Sequence, residues 1–161
     1  MADTMILNLG KEHIDDVVSI VEECGPFLTL RSRSDYWAYA TFFNDTCFVY
    51  SEQDQAVGVL IAYRNQNDMG QIYLQDIGVK KAYRGKGVAD ALITNLIEYA
   101  WSHDIGSIML TSEPENHSAL KLWERLGFEN ISTGREIQGV KVTEDLKGPG
   151  KHRAVFQKII D

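Results

Sequence analysis

Alternating hydrophobic and polar positions along the chain predict seven strands. A period of two residues, or a short apolar run between turn residues, places them at 5–9, 46–51, 56–63, 71–79, 108–111, 129–138 and 153–160. Apolar residues at helical spacing predict helices over 11–23, 86–103 and 116–126. An aromatic-rich segment predicts one more helix, capped by Ser34 and ending at Phe43.

The order of these elements predicts the fold. A strand at 71–79, a long helix and then a strand at 108–111 indicate one parallel crossover within an otherwise antiparallel sheet. We expect an α/β (α+β) fold in which a mixed, mostly antiparallel central sheet is flanked by about four helices. The 161 residues favour a single domain over 1–161, whose core requires neither a metal nor a disulfide.

Composition and charge limit the partners of the protein. With 16 Lys and Arg against 23 Asp and Glu, the net charge is −7, which disfavours nucleic-acid binding and is compatible with a cationic small substrate. The chain has no apolar run of about 18 residues and its N-terminus lacks an export signal, so no membrane partner is expected. Two cysteines without CxxC spacing indicate a reducing, cytoplasmic location, and the histidines show no metal spacing.

The clearest chemical signal is a basic glycine turn after the strand at 71–79. Its residues are Lys80, Lys81, Arg84, Gly85, Lys86 and Gly87. A helix N-terminus presents unpaired amides and partial positive charge, and glycines let an anion approach, so the amides of 85–89 predict a phosphate site. Arg84 could add bidentate hydrogen bonds. The turn is neither a P-loop, which needs GxxxxGK[ST], nor a complete GxGxxG dinucleotide fingerprint.

Two sequence blocks carry a resemblance to a known family. The stretch "YLQDIGVKKAYRGKGVADALI" is similar to the CoA-binding signature of the GNAT superfamily of acyl-CoA N-acyltransferases, with Arg84, Gly87 and Ala89 at the signature positions. The stretch "MLTSEPENHSALKLWERLGFE" resembles the second block of that family. Its matching residues are Asn116, Ala119, Trp123, Leu126, Gly127 and Phe128. The likeness covers nearly the whole chain and is strongest over 57–128.

The resemblance implies a binding site for acetyl-CoA. In the family, the pyrophosphate lies on the amides of the turn, pantetheine pairs with the backbone of the preceding strand, and the amide matching Val79 polarises the thioester carbonyl. The residues implied to bind the cofactor are Ile77, Gly78, Val79, Arg84, Gly85, Lys86, Gly87, Val88, Ala89, Asp90, Asn116 and Trp123. Asn116 is also expected to cap its helix.

One residue departs from the family pattern. The tyrosine that usually protonates the leaving thiolate is replaced by Trp123, whose indole N–H is not a practical acid. We expect Trp123 at position C3 of a Schellman cap, with Gly127 at C′ and Phe128 packed against the indole. Tyr83 is one substitute acid, with simple packing as its alternative. Solvent is another proton source, or CoA leaves as the thiolate.

The base that takes a proton from the amine is expected among acidic residues near two strand ends. Asp76 lies on the strand that leads to the turn, and its alternative role is a structural hydrogen bond. Alternation places Gln75 and Tyr73 on the opposite face from Asp76, unless a bulge changes the parity. Glu113 follows the next strand and is the second candidate.

The resemblance implies an acetyl-CoA-dependent N-acetyltransferase acting on the primary amine of a small, cationic metabolite. A protein N-terminal or lysine acetyltransferase is the second enzymatic hypothesis, and a module that binds acyl-CoA with little transfer is the hypothesis from another class. Weaker likenesses to diaminobutyrate and spermidine/spermine acetyltransferases leave the acceptor open. Dimers are common in the family, so a homodimer is compatible with the sequence. The aromatic helix ending at Phe43 is expected either to fill the core or to line the acceptor pocket.

Overall fold

A seven-stranded sheet forms the centre of the protein, whose computed structural model describes residues 3–161. The strands are β1 (Thr4–Asn8), β2 (Phe48–Glu52), β3 (Gln55–Asn65), β4 (Asp68–Val79), β5 (Ser107–Ser112), β6 (Glu129–Asn130), β7 (Glu136–Ile137), β8 (Val140–Lys141) and β9 (Ala154–Ile159). Their order in the sheet is β1-β2-β3-β4-β5-β9-β6, while β7 and β8 form a separate hairpin. Of the neighbouring pairs in the described chain, β4 with β5 is parallel and the others are antiparallel.

Four α-helices of the described chain cover the two faces of this sheet. They are α1 (Ile14–Glu22), α2 (Arg33–Phe42), α3 (Val88–Ser102) and α4 (His117–Arg125). Because side chains alternate along a strand, α1 and α2 pack on Val59 of β3 in one core, whereas α3 and α4 pack with Leu60 in the other. The mixed sheet and its flanking helices confirm the fold predicted from the sequence. Of the helices within residues 3–161, none combines the length and apolar composition that a bilayer crossing requires.

Two helices begin at different residues from those predicted. The N-cap of α2 is Ser32 rather than Ser34, because the Ser32 hydroxyl accepts from the Asp35 amide at 3.1 Å and the Asp35 carboxylate accepts from the Ser32 amide at 3.2 Å. This reciprocal pair is a capping box, which requires an acidic or amide side chain three residues after the cap. Helix α3 begins after Gly87 because Gly85 and Gly87 adopt left-handed backbone angles, with φ of 74° and 83°.

The single strand predicted over 129–138 was wrong, because two short strands, β6 and β7, flank a non-strand segment at 131–135. Only the two residues of β6 pair with β9, and the Asn130 side chain then accepts from the Ser132 amide at 3.1 Å. Such an Asx turn redirects the chain away from the sheet. The segment continues into the β7–β8 hairpin, whose two connecting residues, Gln138 and Gly139, both have positive φ.

Strands β4 and β5 diverge halfway along β4. They pair only from Gln71 with Ser107 to Leu74 with Leu110, although β4 continues to Val79. The remainder of β5 stays paired with β9 on its other side. Within residues 3–161, no strand therefore covers the edge of β4 that follows Leu74, and a wedge opens between the two strands.

A bulge at the divergence changes which face each residue of β4 occupies. Asp76 lies opposite Ile61 and Leu74 lies opposite Ala62, so Gln75 is the additional residue. Leu74 and Val79 both belong to the core under α3, although they are five positions apart, an odd offset that would place them on opposite faces of a regular strand. The bulge therefore turns Asp76 toward the α1 side, whereas unbroken alternation would have placed its carboxylate in the apolar core under α3.

Candidate active site

The divergence of β4 and β5 creates a cleft with a volume of about 860 Å³, called here the main cleft. Its walls are the loop after α1, the second half of β4, the end of β5, the start of α4 and the loop before β9. A second cavity of about 460 Å³, the turn pocket, adjoins it at the start of α3. Val79, Arg84 and Ala89 line both cavities, so the two form one groove.

The backbone of β4 supplies the floor of the main cleft. The Lys80 amide donates to the Val57 carbonyl at 2.9 Å, and Val79 lies opposite Gly58. In an antiparallel pair this arrangement directs the amide and carbonyl of Val79 away from β3 and into the wedge. The Val79 carbonyl accepts from Arg84 Nε at 3.0 Å. Of the residues that the sequence assigned to pantetheine, Ile77 and Val79 thus direct their backbone groups to the open edge, whereas those of Gly78 face β3.

The glycine turn presents backbone amides to the turn pocket. Gly87 is the N-cap of α3, and the first hydrogen bond of the helix runs from the Ala91 amide to the Gly87 carbonyl at 3.0 Å. The amides of 88–90 therefore precede the first intrahelical donor. A Cβ added at Gly85 or Gly87 would meet no protein atom within 4 Å, so the space in front of this turn is open. This geometry fits an anionic group, as the sequence predicted.

The basic side chains around the turn have structural partners of their own. Arg84 Nε and Nη2 donate to the carbonyls of Val79 and Glu23, the latter at 2.8 Å, and so join the end of β4 to the end of α1. Lys80 pairs with the Glu23 carboxylate at 3.7 Å, and Lys86 Nζ lies 5.5 Å from the centroid of the Tyr83 ring. The bidentate donors expected at Arg84 are therefore directed at carbonyls, which leaves the backbone amides as the better placed phosphate donors.

Arg125 was missed by the sequence analysis. It lines the turn pocket and forms an ion pair with Asp90, a residue predicted to bind the cofactor through its amide. The pair joins the last turn of α4 to the first turn of α3. Its two residues are 35 positions apart in sequence, and no local pattern indicates the contact.

Asp76 is held in a bidentate ion pair. Its side chain is 8% exposed, and its two oxygens accept from Arg31 Nε at 2.8 Å and Nη2 at 3.1 Å. The hydrogen bond to Asp76 raises the pKa of Arg31 above its ordinary value. Gln75 Nε2 donates to the same carboxylate at 3.3 Å. The structure thus gives Asp76 the structural hydrogen bonds that the sequence left open beside a role as base.

Glu113 and Tyr83 lie at different ends of the groove. Glu113 lines the main cleft after β5, with 32% of its side chain exposed, and forms an ion pair with Arg153 at 3.1 Å. Tyr83 closes the short 3-10 turn Lys81–Tyr83 and lines the turn pocket. Of the three predicted catalytic residues, Asp76 and Glu113 share the main cleft, and Tyr83 lines the turn pocket with the amides of the glycine turn.

Trp123 occupies the predicted Schellman cap. The Phe128 amide donates to the Trp123 carbonyl at 2.9 Å, the Gly127 amide donates to Glu124 at 3.1 Å, and Gly127 has φ 85°. The Trp123 and Phe128 rings meet edge to face with centroids 5.7 Å apart. The Trp123 side chain lines the main cleft, yet its buried Nε1 has no hydrogen-bond partner in the described structure.

Asn116 caps α4 as predicted. Its Oδ1 accepts from the Ala119 amide at 3.3 Å, and the residue lines the main cleft. A cap at this position fixes the first turn of α4 beside the cleft.

A hydrogen-bonded network lies beside the bulge. Tyr63 donates to Gln75 Oε1 at 2.8 Å, and Gln75 Nε2 donates to the Tyr39 hydroxyl at 2.8 Å. Burial raises the pKa of Tyr63 to about 12, so its phenol remains protonated and continues to donate at neutral pH. Tyr39 belongs to the aromatic helix, whose Tyr36 is fully buried in the core. That helix therefore fills the core and also supports the bulge.

Two lysines of the loop before β9 also line the main cleft, and the sequence analysis assigned no role to them. They are Lys147 and Lys151, and Lys147 Nζ donates to the Tyr73 hydroxyl at 3.0 Å. The available signal was the string "KGPGKHR", in which basic residues flank a tight Gly-Pro-Gly turn. No cluster of His, Cys, Asp or Glu suited to a metal ion occurs within residues 3–161.

The order of elements and the glycine turn at the start of α3 agree with the acyltransferase fold that the sequence resembles. The chain belongs to the GNAT acetyltransferase family, whose family model matches residues 14–128. The protein is therefore an acetyltransferase, and GNAT enzymes use acetyl-CoA.

Three known proteins illustrate the similarity. The L-2,4-diaminobutyric acid acetyltransferase of Shouchella clausii is 28% identical over 127 residues, which cover 78% of this chain and 71% of that protein. Ard1 from Thermoplasma volcanium superposes with a TM-score of 0.81 at 13% identity, with 98% of each chain covered. The diaminobutyrate acetyltransferase of Paenibacillus lautus, solved with L-2,4-diaminobutyric acid and coenzyme A, has a TM-score of 0.74 at 19% identity, covering 99% of this chain and 95% of that one. At these identities the two structures establish the fold.

Proposed function

We propose that this protein transfers the acetyl group of acetyl-CoA to the primary amine of a small metabolite. The observation that carries the proposal is the continuity of the groove. The uncovered edge of β4 leads directly to the open amides in front of Gly87, because Val79 and Arg84 line both cavities. A long ligand suits this groove if its phosphates lie at the amides and its acyl arm lies along the edge of β4.

The residues present fit the cofactor. The open space in front of Gly85 and Gly87 and the unpaired amides suit its phosphates, and the backbone of Ile77 and Val79 suits the amide-containing arm. The unpartnered Trp123 Nε1 offers one more donor along the cleft. Acetyl-CoA supplies the acetyl group as a thioester, and the Val79 amide is positioned to donate to a carbonyl oxygen placed at the open edge.

We assign Glu113 as the base that removes a proton from the attacking amine. An attacking amine must be neutral, although alkyl amines are mostly protonated at neutral pH. Glu113 is the more exposed of the two carboxylates in the main cleft, and Arg153 fixes its position. The carboxylate of Asp76 is already engaged by Arg31 and Gln75, so its role is to position the wall of the cleft.

Departure of the thiolate does not require Trp123 to act as a general acid. An indole N–H donates a hydrogen bond but retains its proton at neutral pH. Thiols titrate at a pKa of about 8 to 9, so a thiolate can depart as the anion or take a proton from water. We therefore assign Trp123 to binding rather than to proton transfer.

The acceptor is assigned to the class of small primary amines. A cleft of about 860 Å³ is within the range of small-molecule sites. The two diaminobutyrate acetyltransferases named above act on L-2,4-diaminobutyric acid, so this compound and simple diamines are the first acceptors to test. We place the reaction in the cytoplasm, in keeping with the two free thiols of Cys24 and Cys47.

Two measurements test the proposal in sequence. Calorimetry establishes whether acetyl-CoA binds, and a panel of amines, including a peptide with a free N-terminus, is then assayed for released CoA thiol. We expect binding and thiol release with at least one small amine. Tight binding without turnover on any amine would indicate a module that only binds acyl-CoA, and turnover confined to the peptide would replace the small-molecule acceptor. No binding of acetyl-CoA would contradict the proposal altogether.

A further inference from the structure

Four positively charged side chains line the main cleft outside the glycine turn. Arg31, Lys147, Lys151 and Arg153 line the cleft, as do two acidic side chains, Asp76 and Glu113. Each arginine has one of these carboxylates as its partner, at 2.8 and 3.1 Å. Among the ion pairs of the described residues, none includes Lys147 or Lys151. Two positive charges thus face the cleft without a counter-charge.

The loop that carries these lysines is held by its own hydrogen bonds. The Lys147 amide donates to the Lys151 carbonyl at 3.3 Å, so the two residues lie opposite one another across the turn. The Gly150 amide donates to Asp145 Oδ1 at 2.7 Å, and the Asp145 amide donates to His152 Nδ1 at 3.0 Å. A turn fixed in this way presents both ammonium groups at low entropic cost.

A contact with β4 places Lys147 near the divergence of β4 and β5. Lys147 Nζ donates to the Tyr73 hydroxyl, which lies 3.2 Å from Thr111 Oγ1. Tyr73 is two residues before the bulge at Gln75, and Thr111 is two residues before Glu113. Lys147 therefore lines the cleft close to the point where the strands diverge, and Lys151 lines the same cleft across the turn from it.

This arrangement is unfavourable for an acceptor whose charges are all positive. An ammonium group near Lys147 and Lys151 would be repelled, whereas an acid group would receive charge-assisted hydrogen bonds. The negative net charge of the whole chain does not reverse this local preference, because charges beyond about 8 to 10 Å are largely screened at physiological salt.

We propose that Lys147 and Lys151 bind the carboxylate of an acceptor that carries both an amine and an acid group, as an amino acid does. This inference rests on the proposed function and specifies its substrate class. In the reaction, the amine nitrogen bonds to the acetyl carbon, the carbon–sulfur bond breaks with its electron pair on sulfur, and the amine proton passes to Glu113 or water. The carboxylate takes no part in that exchange and serves to orient the amine.

Three acceptors that differ only at the acid group test the inference. They are L-2,4-diaminobutyrate, its carboxamide, and 1,3-diaminopropane, which lacks the group. Charge-assisted hydrogen bonds predict that wild-type kcat/KM is about 10- to 100-fold higher for the carboxylate than for the other two. In Lys147→Gln and Lys151→Gln, we expect this preference to fall to less than a third of its wild-type value. Lys141→Gln removes the same charge from β8, away from the cleft, and should keep the preference.

The outcomes separate the inference from the function on which it rests. Equal kcat/KM for the three acceptors, or a preference in the Lys147 and Lys151 variants equal to that of Lys141→Gln, would overturn the inference and leave acetyl transfer intact. The inference would also be overturned, with acetyl transfer intact, if the best acceptor of the wider amine panel carried no acid group or carried a phosphate in place of the carboxylate. Absence of acetylation of every amine would remove the proposed function and the inference together.

Discussion

Two carboxylates line the main cleft, and each is held by a different arginine. Asp76 has both oxygens engaged by Arg31, and its side chain is 8% exposed, whereas Glu113 has one contact with Arg153 and is 32% exposed. The same type of side chain therefore has two roles at the residue scale. We assign proton removal from the amine to Glu113. Asp76 has a structural role, because its ion pair fixes the wall of the cleft.

Replacing Glu113 with Gln should lower kcat at neutral pH by about 100-fold or more, the usual contribution of a general base. The loss should shrink as the pH rises and the amine loses its proton without help. The midpoint of thermal unfolding should change little, because the carboxylate is at the surface of the cleft. A kcat equal to that of the wild type at pH 7 would contradict the assignment.

Asp76→Asn is the matched comparison, because it leaves Arg31 without its anionic partner. We expect this variant to lose about 2 kcal/mol of stability, less than the usual cost for a fully buried pair, since Arg31 is partly solvated. Urea denaturation measures this difference.

Trp123 has a donor without a partner, which gives a second prediction at this scale. In Trp123→Phe the ring still packs on Phe128, but the hydrogen bond that we assign to the bound cofactor is lost. The KM for acetyl-CoA should rise about tenfold, the value of one hydrogen bond, while kcat changes less than about threefold. A large fall in kcat with an unchanged KM would instead identify Trp123 as part of the chemical step.

Local contacts at the residue scale could be predicted from the sequence, and distant ones could not. The caps formed by Asn116 and Gly127 depend on residues a few positions away, so their patterns can be read directly. Arg31 and Asp76 are 45 positions apart, and Lys147 and Tyr73 are 74 apart. Such pairs meet only because the sheet brings their segments together, so no spacing in the chain reveals them.

At the scale of elements, the position of α3 determines where the backbone amides of the glycine turn lie. Gly58 of β3 lies beneath the first turn of this helix, and a Cβ there would lie 2.7 Å from Val88 Cγ1 and 3.2 Å from Leu92 Cδ1. Val88 is β-branched and has little rotamer freedom in a helix, so relief requires the helix itself to move.

Gly58→Ala should therefore destabilise the protein by about 1–3 kcal/mol, the usual cost of overpacking, and should also weaken acetyl-CoA binding by displacing the amides of 88–90. Chemical denaturation and calorimetry measure the two effects. If Gly58→Ala lost stability but bound acetyl-CoA as tightly as the wild type, the turn would not depend on the position of α3.

The elements themselves were largely predictable, and their ends were less so. Helical spacing located α1, α3 and α4 because each buries one face, and alternation located the hairpin of β2 and β3. The bulge at Gln75 was noted as possible from the family pattern but could not be derived from the residues, since nothing in "YLQDIG" marks one position as additional. The divergence of β4 from β5 is a property of the whole sheet.

At the scale of the whole molecule, the reactivities of the two thiols test which residues are buried in the core and which line the groove. Cys47 is fully buried, and burial raises its pKa to about 12, whereas Cys24 lines the main cleft beside the Val79 carbonyl. A thiol reacts as the thiolate, so Cys24 should be alkylated first at pH 8, and Cys47 only after unfolding.

Saturating acetyl-CoA should slow the alkylation of Cys24, because the cofactor would cover that wall of the cleft. Mass spectrometry of the labelled chain gives the rates, and Cys24→Ser supplies the control in which the first label is absent. Equal reactivity of the two thiols would contradict the buried position of Cys47, and an unchanged Cys24 rate with bound acetyl-CoA would contradict the location of the groove.

The placement of acetyl-CoA on the glycine turn is the central claim, and one calorimetric comparison tests it most directly. Gly87 and Gly139 both have φ 83° and open space where a Cβ would lie, but Gly87 faces the turn pocket and Gly139 lies in the β7–β8 hairpin. Alanine at either position should cost about 1–2 kcal/mol of stability through the same backbone strain. Gly87→Ala should weaken acetyl-CoA binding by at least about tenfold, because its methyl group would occupy the phosphate position, while Gly139→Ala should bind as the wild type does. Equal affinity of the two variants for acetyl-CoA would contradict the account.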